Sequence, residues 1–557
     1  MALYLFVTVE PVGVGDDIII RYYSLFIYIH TFFTMLRKIR TTLAAVFWLL
    51  ITWLLVDFTG VAQIYLGWMA QVQFLPAVLA LNVGAILFVC ALTLILGRIY
   101  CSIICPLGVM QDAISRLRRK KYKYQYSPAR NTMRIVFLLL GAIMLVLNVG
   151  WVAGLLMPYS TYGRIVGTLV APLYKLANNG LASLAEHYGS YAFYSVDVWL
   201  KSIPALVIAI LALLIIGILA WRGGRTWCNT VCPVGTILGF FSRKSLYGPV
   251  FDTDRCNSCG LCARSCKSAC IDSKTHSVDM SRCVMCGDCM DACHRDALHL
   301  ATRKSPSQCE SSSCPSEQTP APEAGNVQEG ADQGRRAVLT SAVLMASTAL
   351  LHAQEKTTDG GLAPIERKQK PQRQTLITPP GSLSIRNLRT HCTACQLCIN
   401  SCPNDVLRPS NSLDRLMQPE VSYERGYCRP ECNRCSQVCP TSALHPITVE
   451  ERTSIQVGHA VWTRELCIPV RDGKTCGLCA RKCPAQAIQM VPLQQGVHRE
   501  GRRWLDADNQ EIPYEKALLI PVVDEEKCIG CGACENLCPS NPISAICVEG
   551  HEVHREI

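Results

Sequence analysis

Cysteine spacing constrains this chain more than anything else in it. Residues 256–266 read CNSCGLCARSC and residues 283–293 read CVMCGDCMDAC, so the pattern C-x2-C-x2-C-x3-C occurs twice in succession. Three thiolates at that spacing cap one face of a [4Fe–4S] cube, and the fourth cysteine reaches across to a neighbouring cube. The expected ligand sets are therefore Cys256, Cys259, Cys262 and Cys293 for one cluster, and Cys283, Cys286, Cys289 and Cys266 for the other. Zinc competes for such residues, but structural zinc sites use two C-x2-C pairs, without a triplet and a trailing cysteine. Lys267 and His294 stand where proline ordinarily follows the fourth cysteine, which loosens the loop without removing a ligand.

Four more quartets follow downstream: Cys392, Cys395, Cys398 and Cys402; Cys428, Cys432, Cys435 and Cys439; Cys467, Cys476, Cys479 and Cys483; and Cys528, Cys531, Cys534 and Cys538. The second has one extra residue in its first gap, and in the third an eight-residue insertion replaces that gap. Each ends in Cys-Pro, at Pro403, Pro440, Pro484 and Pro539. Of 33 cysteines, 24 fall in the six quartets, and Cys90, Cys270, Cys309, Cys314 and Cys547 stand outside every pattern. A secreted disulfide scaffold also concentrates cysteine, but nothing in disulfide pairing makes this rhythm recur. Six [4Fe–4S] clusters are expected.

Half the residues are hydrophobic and only 17% are charged, which points to a membrane protein with soluble parts. Apolar spans at about 41–58, 75–97, 134–153 and 203–221 each approach the roughly 20 residues that cross a bilayer. Arg37, Lys38 and Arg40 precede the first, Arg116 to Lys123 is a basic run between the second and third, and Arg222, Arg225, Arg243 and Lys244 follow the fourth. By the positive-inside rule both ends of this four-helix unit, residues 35–245, face the cytoplasm, and with them the two-cluster domain at 246–303. The net charge of +11 invites a nucleic-acid reading, but much of the basic charge flanks apolar spans and no aromatic-interleaved basic face occurs, so no nucleic-acid partner is expected. Residues 1–34 read as a doubtful leader, with Met35 the better start.

Residues 304–334, rich in Ser, Pro, Gln, Glu and Gly, read as a disordered linker. Arg335 and Arg336 then precede a modest apolar run ending near Ala353, the address of proteins exported already folded. The segment 335–353 is expected to be a signal that is cleaved or is kept as a fifth anchor helix. A second linker at 354–385 leads to a four-cluster domain, 386–557, placed outside the cytoplasmic membrane. The expected fold is thus membrane α-helical, four helices plus an anchor, with two α+β ferredoxin-like domains.

Within the helical unit a second repeat appears: Gly97-Arg98-x-Tyr100-Cys101-x3-Cys105-Pro106-x-Gly108 and Gly224-Arg225-x-Trp227-Cys228-x3-Cys232-Pro233-x-Gly235. Parallel repeats about an axis along the membrane normal bring such loops together. The tetrad Cys101, Cys105, Cys228 and Cys232 could hold a metal or cluster or act as a dithiol relay, and the bland alternative is a pair of helix-ending turns. Cys90, mid-span, reads as packing.

Residues 35–303 resemble the NapH-type membrane subunits, and the part from Arg335 onward resembles the NapG/MauM-type ferredoxins, families that are usually separate polypeptides. The resemblance implies a quinol dehydrogenase-type electron-transfer subunit without its own substrate-reducing site, taking electrons from the membrane quinone pool to a periplasmic reductase or cytochrome. It also implies that the outer two downstream quartets interdigitate, and the inner two likewise. An electron donor for maturing a periplasmic metalloenzyme is the alternative function. Quinol oxidation needs a proton acceptor, and Asp57, Glu186, His187, Asp197 and Asp112 are the candidates near the membrane surfaces. Two clusters on one side and four on the other leave about 30 Å of hydrocarbon to bridge, too far for one unassisted hop.

Overall fold

The computed structural model describes residues 37–118, 124–303, 358–359, 363–364, 368–501, 503–505, 507–508, 510–513 and 517–557. The doubtful leader, the linker at 304–334 and the twin-arginine segment at 335–353 lie outside the described residues.

The first and fourth expected spans are continuous helices, Arg37–Val56 and Ile203–Gly223, and among the described residues only these are long and apolar enough to cross a bilayer. Most of each helix lies on the outside of the helical unit. Leu43, Leu49, Leu211, Ile215 and Ile218 point outward.

The second and third expected spans are each broken. Phe74–Leu79 stops at Leu81, whose φ is 53°, and Val83–Leu96 restarts under an Asn82 cap whose Oδ1 accepts from the Ala85 amide at 3.2 Å. Asn131–Val146 stops before Asn148, φ 59°, and Gly150–Leu156 follows. Hydropathy alone could not see these breaks, because the residues that make them sit within unbroken apolar surroundings. Pro158–Ile165 is buried along its whole length and continues through a π turn into Ala171–His187.

Residues 246–303 form a small α+β unit. Tyr247–Phe251 pairs antiparallel with Leu298–Thr302, and Ile271–Asp272 with Ser277–Val278. Its two short helices, Leu261–Ser265 and Asp288–Asp291, each start behind a left-handed glycine, Gly260 and Gly287.

The C-terminal unit repeats that plan twice. Leu407–Pro409 pairs with Pro419–Val421 and Ile488–Pro492 with Leu519–Val523, while the long antiparallel pair Ile455–Trp462 and Ile546–Glu556 ties the two halves together. The linker expected over 354–385 ends earlier than its composition suggested. Ile377, Thr378 and Ser382 are buried, the Ile377 carbonyl accepts from the Val421 amide at 3.1 Å, and the Gly381 carbonyl accepts from His445 at 2.8 Å.

The helical unit lies between the two. At the start of the Arg37–Val56 helix, Arg37 pairs with Asp288 at 3.3 Å and with Asp291, both in the first ferredoxin-like unit. At its other end the Leu55 carbonyl accepts from Asn400 of the second unit at 3.2 Å. A 20-residue helix spans about 30 Å, so the two units pack at well-separated ends.

Candidate iron–sulfur centres

Each short ferredoxin-like helix carries the third cysteine of a triplet, and the loop before it carries the first two. Cys256, Cys259, Cys262 and Cys293 line one cavity of about 640 Å³. Burial, with the thiolates of Cys293, Cys256 and Cys259 beside it, pushes the Cys262 thiol up to about 11. In the same unit Cys289 lies among Cys286, Cys266 and Cys283. Cys270, outside every pattern, is also here: its Sγ is 3.5 Å from that of Cys266. Its only signal in the sequence is its place four residues after Cys266.

In the C-terminal unit the structure corrects the expected pairing. The first and second quartets interdigitate, and the third and fourth likewise. Cys398 lies among Cys392, Cys395, Cys439 and the adjoining Cys435, whereas Cys402, Cys428, Cys432 and Cys435 line a separate cavity of about 370 Å³. Cys467, Cys476, Cys479 and Cys538 line a cavity of about 340 Å³, and Cys483, Cys528, Cys531 and Cys534 one of about 290 Å³. The physical reason is local: Leu397–Ser401 packs on Arg434–Gln437 and Leu478–Arg481 on Ala533–Leu537, so quartets adjacent in sequence face each other. The two halves then meet at the second and fourth quartets. The Cys428 amide donates to the Cys531 carbonyl at 3.0 Å, the Tyr423 hydroxyl to the Gly530 carbonyl at 2.5 Å, and buried Arg452 reaches the Cys428 sulfur at 3.4 Å.

The residues fit a polynuclear cluster better than a single ion. Among the described residues no three His, Cys, Asp or Glu side chains converge as one metal ion requires, yet four sets of four thiols each enclose a cavity. The buried Nε and Nη1 of Arg164 have no partner beside Cys392 and Cys395, as expected of donors facing cluster sulfides.

The C-x3-C-P loops also come together. The Cys105 thiol lies within electrostatic reach of Cys101, Cys228 and Cys232, and all four are buried. Two arginines cross over between the repeats. Arg98 donates to the Cys228 carbonyl at 3.2 Å, and Arg225 to the Cys101 carbonyl at 2.6 Å. Gly108 and Gly235 make room for them: a Cβ on Gly108 would lie 2.6 Å from Arg225 Nη1, and one on Gly235 would lie 2.7 Å from Arg98 Nη2. Gln111 Nε2 donates to the Cys228 sulfur at 3.2 Å.

Lys267, the residue in place of the usual proline, is buried and joins this site to the first ferredoxin-like unit. Its ammonium contacts Asp112 at 2.9 Å and Asp288 at 3.0 Å. Arg225 chelates the same Asp112 carboxylate at 2.7 and 2.8 Å. Burial alone would raise the Asp112 carboxyl, but Arg225 and Lys267 outweigh it and hold it well below the usual carboxylate range.

One contiguous buried cluster runs from Cys286 through Cys101, Cys105 and Cys232 to Tyr159, Tyr162 and Leu397, with Cys395 and Val438 packed against it. Close approach is built in by small residues. A Cβ on Gly154 would sit 2.3 Å from the Thr393 carbonyl, and one on Gly163 would sit 2.6 Å from that of Cys395.

Of the candidate proton acceptors, Asp57 is spent as a helix cap, accepting from the amides of Thr59 and Ala62 at 2.8 Å each, and Asp112 is locked as described. Glu186 and His187 are exposed at the end of their helix. Asp197 lines a cleft between the helical unit and the first downstream quartet. Cys90 packs against the helical core.

A family model described as "4Fe-4S binding domain" matches residues 78–125 and 204–249, the two C-x3-C-P repeats, and one described as "4Fe-4S dicluster domain" matches residues 474–541, across the third and fourth downstream quartets. The methylamine utilization ferredoxin-type protein MauM of Methylobacillus flagellatus is 33% identical over 29% of this chain, which spans 64% of that protein, just under two thirds. MauM of Methylorubrum extorquens is 30% identical over 37% of this chain and 84% of its own length. The ferredoxin-type protein NapF of Escherichia coli is 27% identical over 31% of this chain and 87% of its own length. No solved structure matches the chain. With [4Fe–4S] domains present and relatives of this kind, the chain is an iron–sulfur electron-transfer protein and belongs to the family of MauM ferredoxin-type proteins.

Proposed function

We propose that this protein sits in the cytoplasmic membrane, oxidises a quinol there and delivers the electrons to a periplasmic reductase or cytochrome. In this reading it holds six [4Fe–4S] clusters, and residues 35–303 play the part of a NapH-type subunit fused to a MauM-like ferredoxin. Oxidation of one quinol yields a quinone, two electrons and two protons, and a bound [4Fe–4S] cluster takes up one electron at a time. The chain's own contribution is to hold the ligand cysteines, exclude water and set their surroundings.

The observation that carries the proposal is the helical unit clasped between two ferredoxin-like units, with an unbroken buried core from Cys286 to Leu397. Cys101, Cys105 and Cys232 of the tetrad lie within that core together with Tyr159, which bears on how about 30 Å of hydrocarbon could be crossed.

The test is an EPR redox titration of membrane vesicles with menadiol, combined with protease access from each face. Reduction of the iron–sulfur signals by menadiol, with the 246–303 unit and the 386–557 unit protected on opposite faces, is the expected result. Vesicles whose signals ignore menadiol would sink the quinol step. Likeness to MauM favours a second reading, an electron donor for maturing a periplasmic metalloenzyme. A need for the protein during biogenesis of the acceptor, and none during its turnover, separates the two.

A further inference from the structure

The position after the second cysteine of a triplet is left-handed in four of the six triplets, and extended or negative in φ at Gly477 (172°) and Asn433 (−120°). Gly260, Gly287 and Gly532 occupy it with φ of 70°, 81° and 78°. In the first downstream quartet Gln396 occupies it, at φ 64°. A side chain there is strained, and such strain persists where the side chain has a task. The Gln396 side chain is buried, its Oε1 accepts from Thr168 at 3.0 Å, and its Nε2 has no partner. Gln396 lines a cleft where the helical unit meets the loop of Cys395 and Cys398.

The rest of the cleft has a definite chemistry. Pro172, Leu200, Ala205 and Ile399 give it apolar walls. Trp199 forms another wall, its indole clamped between the guanidinium groups of Arg408 and Arg425 at 4.5 Å each. The Trp199 Nε1 is a second buried donor without a partner. Lys175 and Lys201 both pair with Asp405, at 4.0 and 3.5 Å, and Asp197 adds another carboxylate at the mouth. Two cations meet two anions, so the cleft is not built for an anionic group. Val170, Leu173 and Tyr174, beside the lining residues, are exposed and offer an apolar exit.

We propose that this cleft binds the headgroup of a quinol, with the Gln396 amide donating to one ring oxygen and the ring lying between the apolar walls of Leu200, Ala205 and Ile399. A flat apolar ring with oxygens at its edges matches apolar walls with two unpaired donors, and an isoprenoid tail would leave over Val170 and Leu173. The site stands next to the ligand loop of the Cys392 quartet, on the face that the C-terminal unit covers. It rests on the quinol reading above.

The experiment uses the full chain in nanodiscs and the fluorescent quinol analogue 2-heptyl-4-hydroxyquinoline N-oxide. Quenching at one site per chain is expected. Gln396→Gly, which places there the residue found at Gly260, Gly287 and Gly532, weakens binding about tenfold by removing one hydrogen bond, and Ala205→Phe abolishes it by filling the cleft. Iron content and melting temperature of Gln396→Gly stay at or above those of the parent, which excludes misfolding as the cause. Unchanged binding in both variants, while menadiol still reduces the iron–sulfur signals, overturns this site and leaves the quinol reading standing. Absence of both binding and reduction in the parent protein overturns the two together. Phosphatidylglycerol co-purifying in the cleft and lost with Gln396→Gly, without analogue binding, makes it a lipid site and overturns the proposal.

Discussion

Arg225 of the second C-x3-C-P repeat donates to the carbonyl of Cys101 in the first, 2.6 Å away, and Arg98 returns the same contact to Cys228 at 3.2 Å. Each loop is therefore closed by the other's arginine. Arg225 and Asp112 are both buried, so removing the guanidinium leaves a carboxylate with only Lys267 beside it. Arg225→Ala should cost roughly 3–5 kcal/mol, the usual loss on breaking a buried pair. Arg225→Lys should restore only part, because one ammonium cannot chelate Asp112 and reach the Cys101 carbonyl together. Thermal unfolding of the detergent-solubilised protein reads both.

Glycine at 235 is a space requirement. A Cβ there would sit 2.3 Å from the Cys228 carbonyl and 2.7 Å from Arg98, whereas nothing lies within 4 Å of one on Gly217 in the Ile203–Gly223 helix. Gly235→Ala should destabilise by about 1–3 kcal/mol, as overpacking does. Gly217→Ala should be neutral or stabilise by a few tenths to about 1 kcal/mol. The pair of melting temperatures, measured side by side, checks the contrast.

The corrected pairing of the downstream quartets gives a counting experiment. Cys398 and Cys439 face one cavity, so Cys398→Ser with Cys439→Ser should remove one centre, a loss of about four iron atoms. Cys398→Ser with Cys435→Ser strikes two neighbouring centres and should remove about eight. Iron analysis and integrated EPR intensity distinguish this from the outer-with-outer arrangement, in which Cys439 would belong elsewhere.

His554 supplies a pH dependence in the C-terminal unit. Burial, then the nearby charge of Arg452, lowers its imidazole to about 4, against about 6.5 in an unfolded chain. The unfolded state binds more protons between those values, so this contribution is complete above pH 6.5 and fades as the pH falls toward 4. His554→Gln, which keeps a group able to bond Thr378, should flatten the slope of stability between pH 7 and 5 relative to the parent. Guanidinium unfolding at the two pH values measures it.

The grouping of cysteines into quartets was the most legible property of this sequence, because spacing survives any change of context. The ends of the fourth span were legible for a similar reason: Ser202 caps it and Gly224 ends it. Pairing between quartets was not, since it depends on which short helices pack together, and the sequence is silent on that. The breaks at Leu81 and Asn148 escaped because single left-handed residues leave an apolar run intact. Arg98 and Arg225 stood out in the sequence as a repeated residue, but their exchange across the repeat exists only in three dimensions. Gln396 was visible as a departure only once Gly260, Gly287 and Gly532 at equivalent positions were seen to share its backbone conformation.

Lys267 takes on a meaning that its place in a ferredoxin loop conceals. Its ammonium is shared by buried Asp112 of the helical unit and half-buried Asp288 of the first ferredoxin-like unit. Cutting the chain near residue 245 and producing the halves apart would leave an orphan cation in one and an underpaired anion in the other. The two pieces are therefore obliged to mature as a single body, and a free-standing version of either would have to evolve a different residue at this junction.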